Sequence, residues 1–202
     1  MVHPSSGTGL DGPFTPGHDG AGLRGTPDNI GFVKVREAAE AEMAEVGDIR
    51  VAAYQAGGYL SASSGYAPIL RGLGADGNGQ VLVATATGGR AERIIGTIML
   101  QLWPHAGEVV TGPHEAEIRA LAVRPEAQGL GVGRRLLRHV LGRAPQLGIS
   151  HLVLCTTPQM RAAHHLYEQE GFVRLPERDW SPAPDEPLLV YGLRLDGAAQ
   201  PD

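Results

Sequence analysis

Short runs that alternate or cluster apolar residues give way, along this chain, to longer stretches with helical spacing. Phe32-Val33-Lys34-Val35-Arg36 predicts a short strand. Residues 38–56 are rich in Ala, Glu and Met and predict a helix that stops near Gly57-Gly58. A second helix is expected over 64–73, with Pro68 early in it, followed by a turn cluster from Gly72 to Gly79. Gln80 to Thr85 and Ile94 to Leu102 predict two strands of a hairpin, with Gly88-Gly89 in a connection longer than two residues. Trp103 to Pro113 reads as an irregular loop and Glu115 to Val123 as the next strand. Val132, Leu136, Leu137, Val140, Leu141, Ala144 and Leu147 then recur on one helical face, and Gly148 ends that helix. His151 to Cys155 reads as a buried strand. Thr157-Pro158 reads as N-cap and first helical residue of a helix running to about Glu170, with Gly171 as its C-terminal glycine. Phe172-Val173 and Leu188 to Leu195 supply the last strands.

The resulting order is β-α-α-β-β-β-α-β-α-β-β. Consecutive central strands predict an antiparallel half, and the strand–helix–strand from 115 to 155 predicts one parallel crossover. The fold class expected is α/β in the α+β sense, a mixed and mostly antiparallel sheet with one β-α-β unit. Residues 1–30 hold seven glycines and four prolines with little apolar periodicity, and predict a disordered tail. A single domain is expected over 31–196, with a short C-terminal tail over 197–202.

Composition narrows the function. The formal charge of −5 argues against a general nucleic-acid binder. Within 118–148, however, the chain carries six arginines (Arg119, Arg124, Arg134, Arg135, Arg138, Arg143) against one acid, Glu126. A basic segment in an acidic chain points to a focused anionic ligand. Cys155 is the single cysteine, so no internal disulfide can form. The first residues lack a signal peptide's basic and apolar regions, and no apolar run reaches membrane-spanning length. A cytoplasmic protein that binds neither nucleic acid nor membrane is expected.

The basic segment opens with Arg124-Pro125-Glu126-Ala127-Gln128-Gly129-Leu130-Gly131-Val132-Gly133-Arg134-Arg135. Three alternating glycines between strand and helix let backbone approach a ligand, and the amides opening a helix have no internal partners. Together they make an anion seat, most naturally for phosphate. A dinucleotide fingerprint would need a third glycine where Arg134 stands and an acid ending the next strand, where Leu154-Cys155 stand. Gly72-Leu73-Gly74-Ala75-Asp76-Gly77 fits the letters of that fingerprint but follows a helix and precedes a strand, the wrong order. A P-loop is excluded because no Gly-Lys-Ser/Thr follows and Lys34 is the sole lysine.

Gln128, Gly131 and Gly133 form a Gln-x-x-Gly-x-Gly pattern that resembles the acyl-CoA pyrophosphate loop of the GNAT superfamily of N-acetyltransferases. The strand Glu117-Ile118-Arg119-Ala120-Leu121-Ala122-Val123 resembles the strand before that loop. Ala163-His164-His165-Leu166-Tyr167-Glu168-Gln169-Glu170-Gly171-Phe172 resembles the family's late A-x-x-L-Y-x-x-x-G-F segment. The resemblance covers about residues 32–195. It implies acetyl-CoA as cosubstrate, bound where two strands splay apart, and direct attack of a primary amine on the thioester. It implies that Gln128, Gly129, Leu130, Gly131, Val132, Gly133 and Arg134 hold the pyrophosphate. Leu121, Ala122 and Val123 would offer backbone to the pantetheine arm. Tyr167 matches the general-acid position, and a phenol is protonated at neutral pH. Its bland alternative is a core tyrosine sharing a helix face with Met160 and Ala163. Glu117 matches a position that often supplies the general base; the alternatives are a surface partner for Arg119, or Glu115 as the base. One departure stands out: Met160 occupies the place, seven residues before the tyrosine, where many members carry a CoA-contacting Asn. Arg161 is the neighbouring residue able to replace that contact.

Cys155 reads as core rather than nucleophile. His164 and His165 are adjacent and point apart, and His114-Glu115 is not part of an H-E-x-x-H, so no metal is expected. Trp103, His105, Asp179 and Trp180 lie in irregular segments able to line an acceptor pocket. The acceptor expected is a small-molecule amine. A non-catalytic acetyl-CoA sensor and a protein lysine or N-terminal acetyltransferase are the competing readings. An open groove between 59–73 and 176–187 would favour the last. Homodimerisation is left open by the sequence.

Overall fold

The apolar runs and stripes become strands and helices of one mixed sheet with helices on both faces. A computed structural model describes residues 32–61, 64–88, 91–184 and 186–195. The tails expected over 1–30 and 197–202 lie outside the described residues. The elements are β1 (Val33–Glu37), α1 (Met43–Ala56), α2 (Tyr66–Gly72), β2 (Gln80–Gly88), β3 (Ala91–Leu102) and β4 (Glu115–Val123). They are followed by α3 (Val132–Arg143), β5 (His151–Thr156), α4 (Arg161–Gln169), β6 (Val173–Arg174) and β7 (Leu189–Arg194). The seven strands run β1-β2-β3-β4-β5-β7-β6. Every neighbouring pair is antiparallel except β4 and β5. The predicted fold class is therefore the one observed.

Alternation along the strands sorts side chains onto two faces. Leu82, Ala84, Ile98, Leu100, Ala116, Ile118, Leu152 and Leu154 meet the buried stripe Val132, Leu136, Leu137 and Val140 of α3. Each of those helix side chains contributes about 1.5–3 kcal/mol by leaving water, which is why the stripe fixes which way α3 faces. On the opposite face, Val46 and Ile49 of α1 pack on Val81, Val83, Ile94 and Met99. Further along that face Val153 and Val190 are covered by Val109, Val110, Leu175 and Trp180 from the irregular segments.

Three boundaries depart from the sequence reading. The helix expected from Thr157 begins at Arg161, with Met160 as its N-cap. Thr157-Pro158 opens a tight turn instead: the Thr157 carbonyl accepts the Met160 amide at 3.1 Å and lies 3.0 Å from His164 Nε2. The α3 ladder stops at Arg143, and residues Ala144–Leu147 tighten to a 3-10 turn, because Pro145 has no amide to continue it. The hairpin strands also extend until Gly88 faces Ala91, leaving a two-residue connection rather than a longer one.

Two irregularities in β4 open the centre of the sheet. Its pairing with β5 covers only Glu115–Ile118 against His151–Leu154, while β4 itself continues to Val123 and β5 to Thr156. Beyond Ile118 the two strands part, leaving a gap between them. Against β3 the register shifts between the pairs Met99–Arg119 and Thr97–Ala122, with Ala120 at φ 49°. This bulge bends β4 away from β5 at the point where pairing stops.

Candidate active site

The glycine run closes one end of the gap. Pro125–Ala127 form a single 3-10 turn, Gln128 is extended, and Gly129 and Gly131 both sit at φ 77°. That conformation is costly for any residue with a Cβ. A Cβ on either glycine would meet nothing within 4 Å, so the loop's outer surface is open and its glycines serve backbone conformation. Gly131 is the N-cap of α3, no side chain caps it, and no acid lies in the first turn. The Arg135 amide is the first to bond back, to Gly131 O at 3.1 Å. The amides of Val132, Gly133 and Arg134 are thus free of intrahelical partners, at the positive end of a twelve-residue helix. The residues present fit a pyrophosphate.

Side chains around this seat act differently from the simple expectation. Gln128 Nε2 donates to the Val123 carbonyl at 3.1 Å, so it holds the loop against β4. Arg134 and Arg138 both reach Glu170 beyond the end of α4, at 3.1 and 2.8 Å. Arg124 pairs with Glu45 and Arg143 with Glu37, each at 2.6 Å, and Arg119 bonds Gln101 at 2.9 Å. Of the six arginines in the basic segment, Arg135 alone has a side chain with no hydrogen bond or ion pair among the described residues. The excess charge is mostly neutralised by acids from distant parts of the chain. Arg161 is exposed and likewise unpaired among the described residues, whereas Met160 is half-buried at the helix cap.

Glu117 and Glu115 project from the same face of β4 into unlike surroundings. Glu115 Oε1 lies 2.7 Å from His151 Nδ1 and 3.0 Å from Arg178 Nη2, and Oε2 accepts from the amide and hydroxyl of Thr111, both at 2.8 Å. Burial works against its charge, but Arg178, Thr111 and His151 outweigh burial and hold its pKa down at about 2. It is a structural anchor for the 103–114 and 175–180 segments. Glu117 is 5% exposed and accepts one hydrogen bond, from the Gly107 amide at 3.0 Å. Arg119 stands 3.8 Å away. Burial raises the Glu117 pKa, and Arg119 and Gly107 only partly offset that.

Tyr167 approaches from the other face. It is 7% exposed, stacked near Phe172 and Tyr191 at 5.9 and 6.2 Å, and has no hydrogen-bond partner among the described residues. Burial raises its pKa, and so does the charge of Tyr54. Tyr54 belongs to α1, across the sheet from α4.

Other candidates find mostly structural places. Asp179 pairs with Arg174 at 2.6 Å and accepts the Val190 amide at 2.8 Å. Trp180 Nε1 donates to Cys155 Sγ at 3.5 Å, and burial pushes the thiol up to about 11. Trp103 and His105 are exposed. No group of three or more His, Cys, Asp or Glu suited to a metal occurs among the described residues. The sequence reading missed Arg50, Tyr54 and Tyr66, which α1 and α2 place over this face. A charged residue set directly between Ile49 and Val51 was the available signal for Arg50.

Comparison with known proteins agrees with this fold. A mycothiol acetyltransferase of Geodermatophilus obscurus is 34% identical over 84 residues, 41% of this chain but only 26% of that protein. A GNAT-family acetyltransferase structure from Staphylococcus aureus superposes with TM-score 0.61 at 18% identity, covering 81% of this chain and 99% of the other. The Salmonella typhimurium yncA protein, solved with its cofactor acetyl-CoA, superposes with TM-score 0.58 at 23% identity, covering 85% and 98%. At such identities these structures speak for the fold. The sequence profile described as the acetyltransferase (GNAT) family matches residues 61–172, just over half of the chain. With its parted strands, uncapped glycine loop and late tyrosine helix, this chain belongs to the GNAT acetyltransferase family.

Proposed function

We propose that this protein transfers an acetyl group from acetyl-CoA to the primary amine of a small molecule, by direct attack in a ternary complex. The observation that carries this reading is the gap in the sheet, which has an anion seat at one end and the buried Glu117 at the other, where β4 and β5 are still paired. Gln128 to Arg134 hold the pyrophosphate through backbone amides. Leu121, Ala122 and Val123, on the stretch of β4 without a β5 partner, hold the pantetheine arm. Arg161, exposed beside Met160, takes the contact an asparagine would make.

The Glu117 carboxylate takes a proton from the attacking ammonium, and its raised pKa brings it nearer to the pH at which a base is effective. The amine then forms the C–N bond at the thioester carbon and the C–S bond breaks. Tyr167, protonated and with its hydroxyl free of other partners among the described residues, donates its proton to the departing sulfur, and the phenolate regains a proton as the new amide nitrogen loses its second one. Glu115 is unsuited to the base role, since its two oxygens are already engaged by four donor groups. A small acceptor is favoured because the 103–114 loop is tied down beside the base, through the Gly107 amide on Glu117 and through Val109 and Val110 on Val153 and Val190.

The test combines calorimetry with acetyl-CoA and an amine panel read by CoA-thiol release. Binding in the micromolar to low-millimolar range with turnover of at least one amine is expected. Binding without turnover of any small or peptidyl amine would mark a sensor instead, and absence of binding would overturn the proposal.

A further inference from the structure

The cleft face beside Glu117 holds more positive charge than its own residues balance. Arg50 of α1 is 0% exposed, and its Nε and Nη2 have no hydrogen-bond partner. Only Nη1 is satisfied, by the Leu73 carbonyl at 2.6 Å, and no carboxylate pairs with this guanidinium among the described residues. An unpaired buried cation is costly and needs compensation from somewhere. Arg119 of β4 projects from the same face as Glu117, two residues along, so their attachment points are about 7 Å apart. It spends one amino group on Gln101 at 2.9 Å, and its head group is part-exposed toward the cleft. Tyr54 packs against the cluster of Val51, Leu60, Leu70 and Ala120, which sets α1 and α2 over the stretch of β4 that carries Arg119, and the charges of Arg50 and Arg119 both bear on the hydroxyls of Tyr54 and Tyr66. Glu117 is the one carboxylate that pairs with either arginine among the described residues.

Given the acetyltransferase reading above, on which this rests, the acceptor must bring its own amine to Glu117. We propose that the same acceptor carries a carboxylate that binds Arg119, with Arg50 beneath as the supporting charge and Tyr54 and Tyr66 as flanking hydroxyls. The substrate class is then an amino-acid-like zwitterion. Its ammonium and carboxylate match, in sign and order, the Glu117–Arg119 pair on β4. An amine with no acidic group would leave Arg50 without an anion nearby and would add a second cation to the cleft. A guanidinium suits this task because its planar fork accepts a carboxylate in two parallel hydrogen bonds.

The experiment compares free L-amino acids with the corresponding amino-acid amides as acceptors, by thiol release at saturating acetyl-CoA. The free acid of at least one matched pair is expected to exceed its amide at least tenfold in kcat/KM. In Arg119→Gln that acid-to-amide ratio is expected to fall at least tenfold. The ratio is the decisive quantity because general damage to Glu117 or to folding cancels in it. Arg50→Met supplies a second reading: the ratio falls, while the melting temperature rises as an unpaired buried charge is removed. Amides turned over as well as acids, or a ratio untouched by Arg119→Gln, would overturn this inference and leave the acetyltransferase reading standing. Turnover of neither class, with no binding of acetyl-CoA, would overturn both.

Discussion

Glu115 and Glu117 stand two positions apart on one strand face, and their surroundings drive them in opposite directions. For Glu117, burial favours the neutral acid, so the basic form is lost as pH falls through a raised pKa. The acid limb of kcat/KM is expected above the ordinary carboxylate value of 4.5, and Glu117→Gln is expected to remove that limb while lowering kcat by about 10²–10⁴-fold. The same raised pKa means that ionised Glu117 costs stability at neutral pH. Thermal melts of Glu117→Gln at pH 7 should therefore show an equal or higher midpoint than the parent. Glu115 has a lowered pKa, so its contribution is present above 4.5 and is lost as pH falls toward about 2. The stability difference between the parent and Glu115→Gln should shrink across that window, measured by denaturant titration at each pH. Tyr167→Phe should lower kcat on the scale expected for losing a general acid, about 10²–10⁴-fold, measured at saturating acetyl-CoA. At this scale the strand position of Glu117 and the helix position of Tyr167 were legible, because each lies in a patterned segment whose neighbours define its place. Arg50 and the anchoring of Glu115 by Arg178 were not. They depend on residues 23 and 63 positions away, and no local period encodes such contacts.

Helix α3 shows how far periodicity reaches and where it stops. Its apolar stripe, read from Val132 onward after the glycine opening, becomes a helix that runs from Val132 to Arg143. The start of α4 lies later than its sequence implies because Thr-Pro is equally a turn signal, and the His164 side chain, one turn along, takes the Thr157 carbonyl. The glycine loop carries its own prediction. Gly129→Ala and Gly131→Ala each add about 1–2 kcal/mol of backbone strain at φ 77°, with no steric clash. The KM for acetyl-CoA should rise while the amine KM changes far less, as measured by initial rates with each substrate varied in turn. Ala120 tests the bulge: a β-branched residue at φ 49° is an outlier, so Ala120→Val should lower the melting temperature and weaken acetyl-CoA binding together. Nothing in the run Arg119 to Val123 announces that bulge. It arises from the mismatch between β3 and β4, a relation between segments rather than a property of either one.

Across the whole molecule, the charge pattern read from the sequence changes meaning once the chain is folded. The basic segment pointed to a focused anionic ligand, yet Glu37, Glu45 and Glu170 pair with most of its arginines. Arg135 remains, so Arg135→Ala should weaken acetyl-CoA binding severalfold at low salt and by less at high salt, as screening replaces the lost charge. The sheet order was only partly legible: the parallel crossover followed from strand–helix–strand order, but β7 lying between β5 and β6 did not. The parting of β4 and β5 also has a kinetic meaning. A sheet split at its centre is two half-sheets sharing a short seam, Glu115–Ile118 against His151–Leu154. Backbone amides on either side of the split should exchange with deuterium quickly in the free protein. A ligand lying in the split would behave as a missing strand, slowing exchange at Leu121 to Val123 and at Cys155-Thr156 in concert. At a hundredfold excess over its dissociation constant it would add about 2.7 kcal/mol to global stability. The cosubstrate would then be, for the length of each turnover, a load-sharing part of the architecture that it visits.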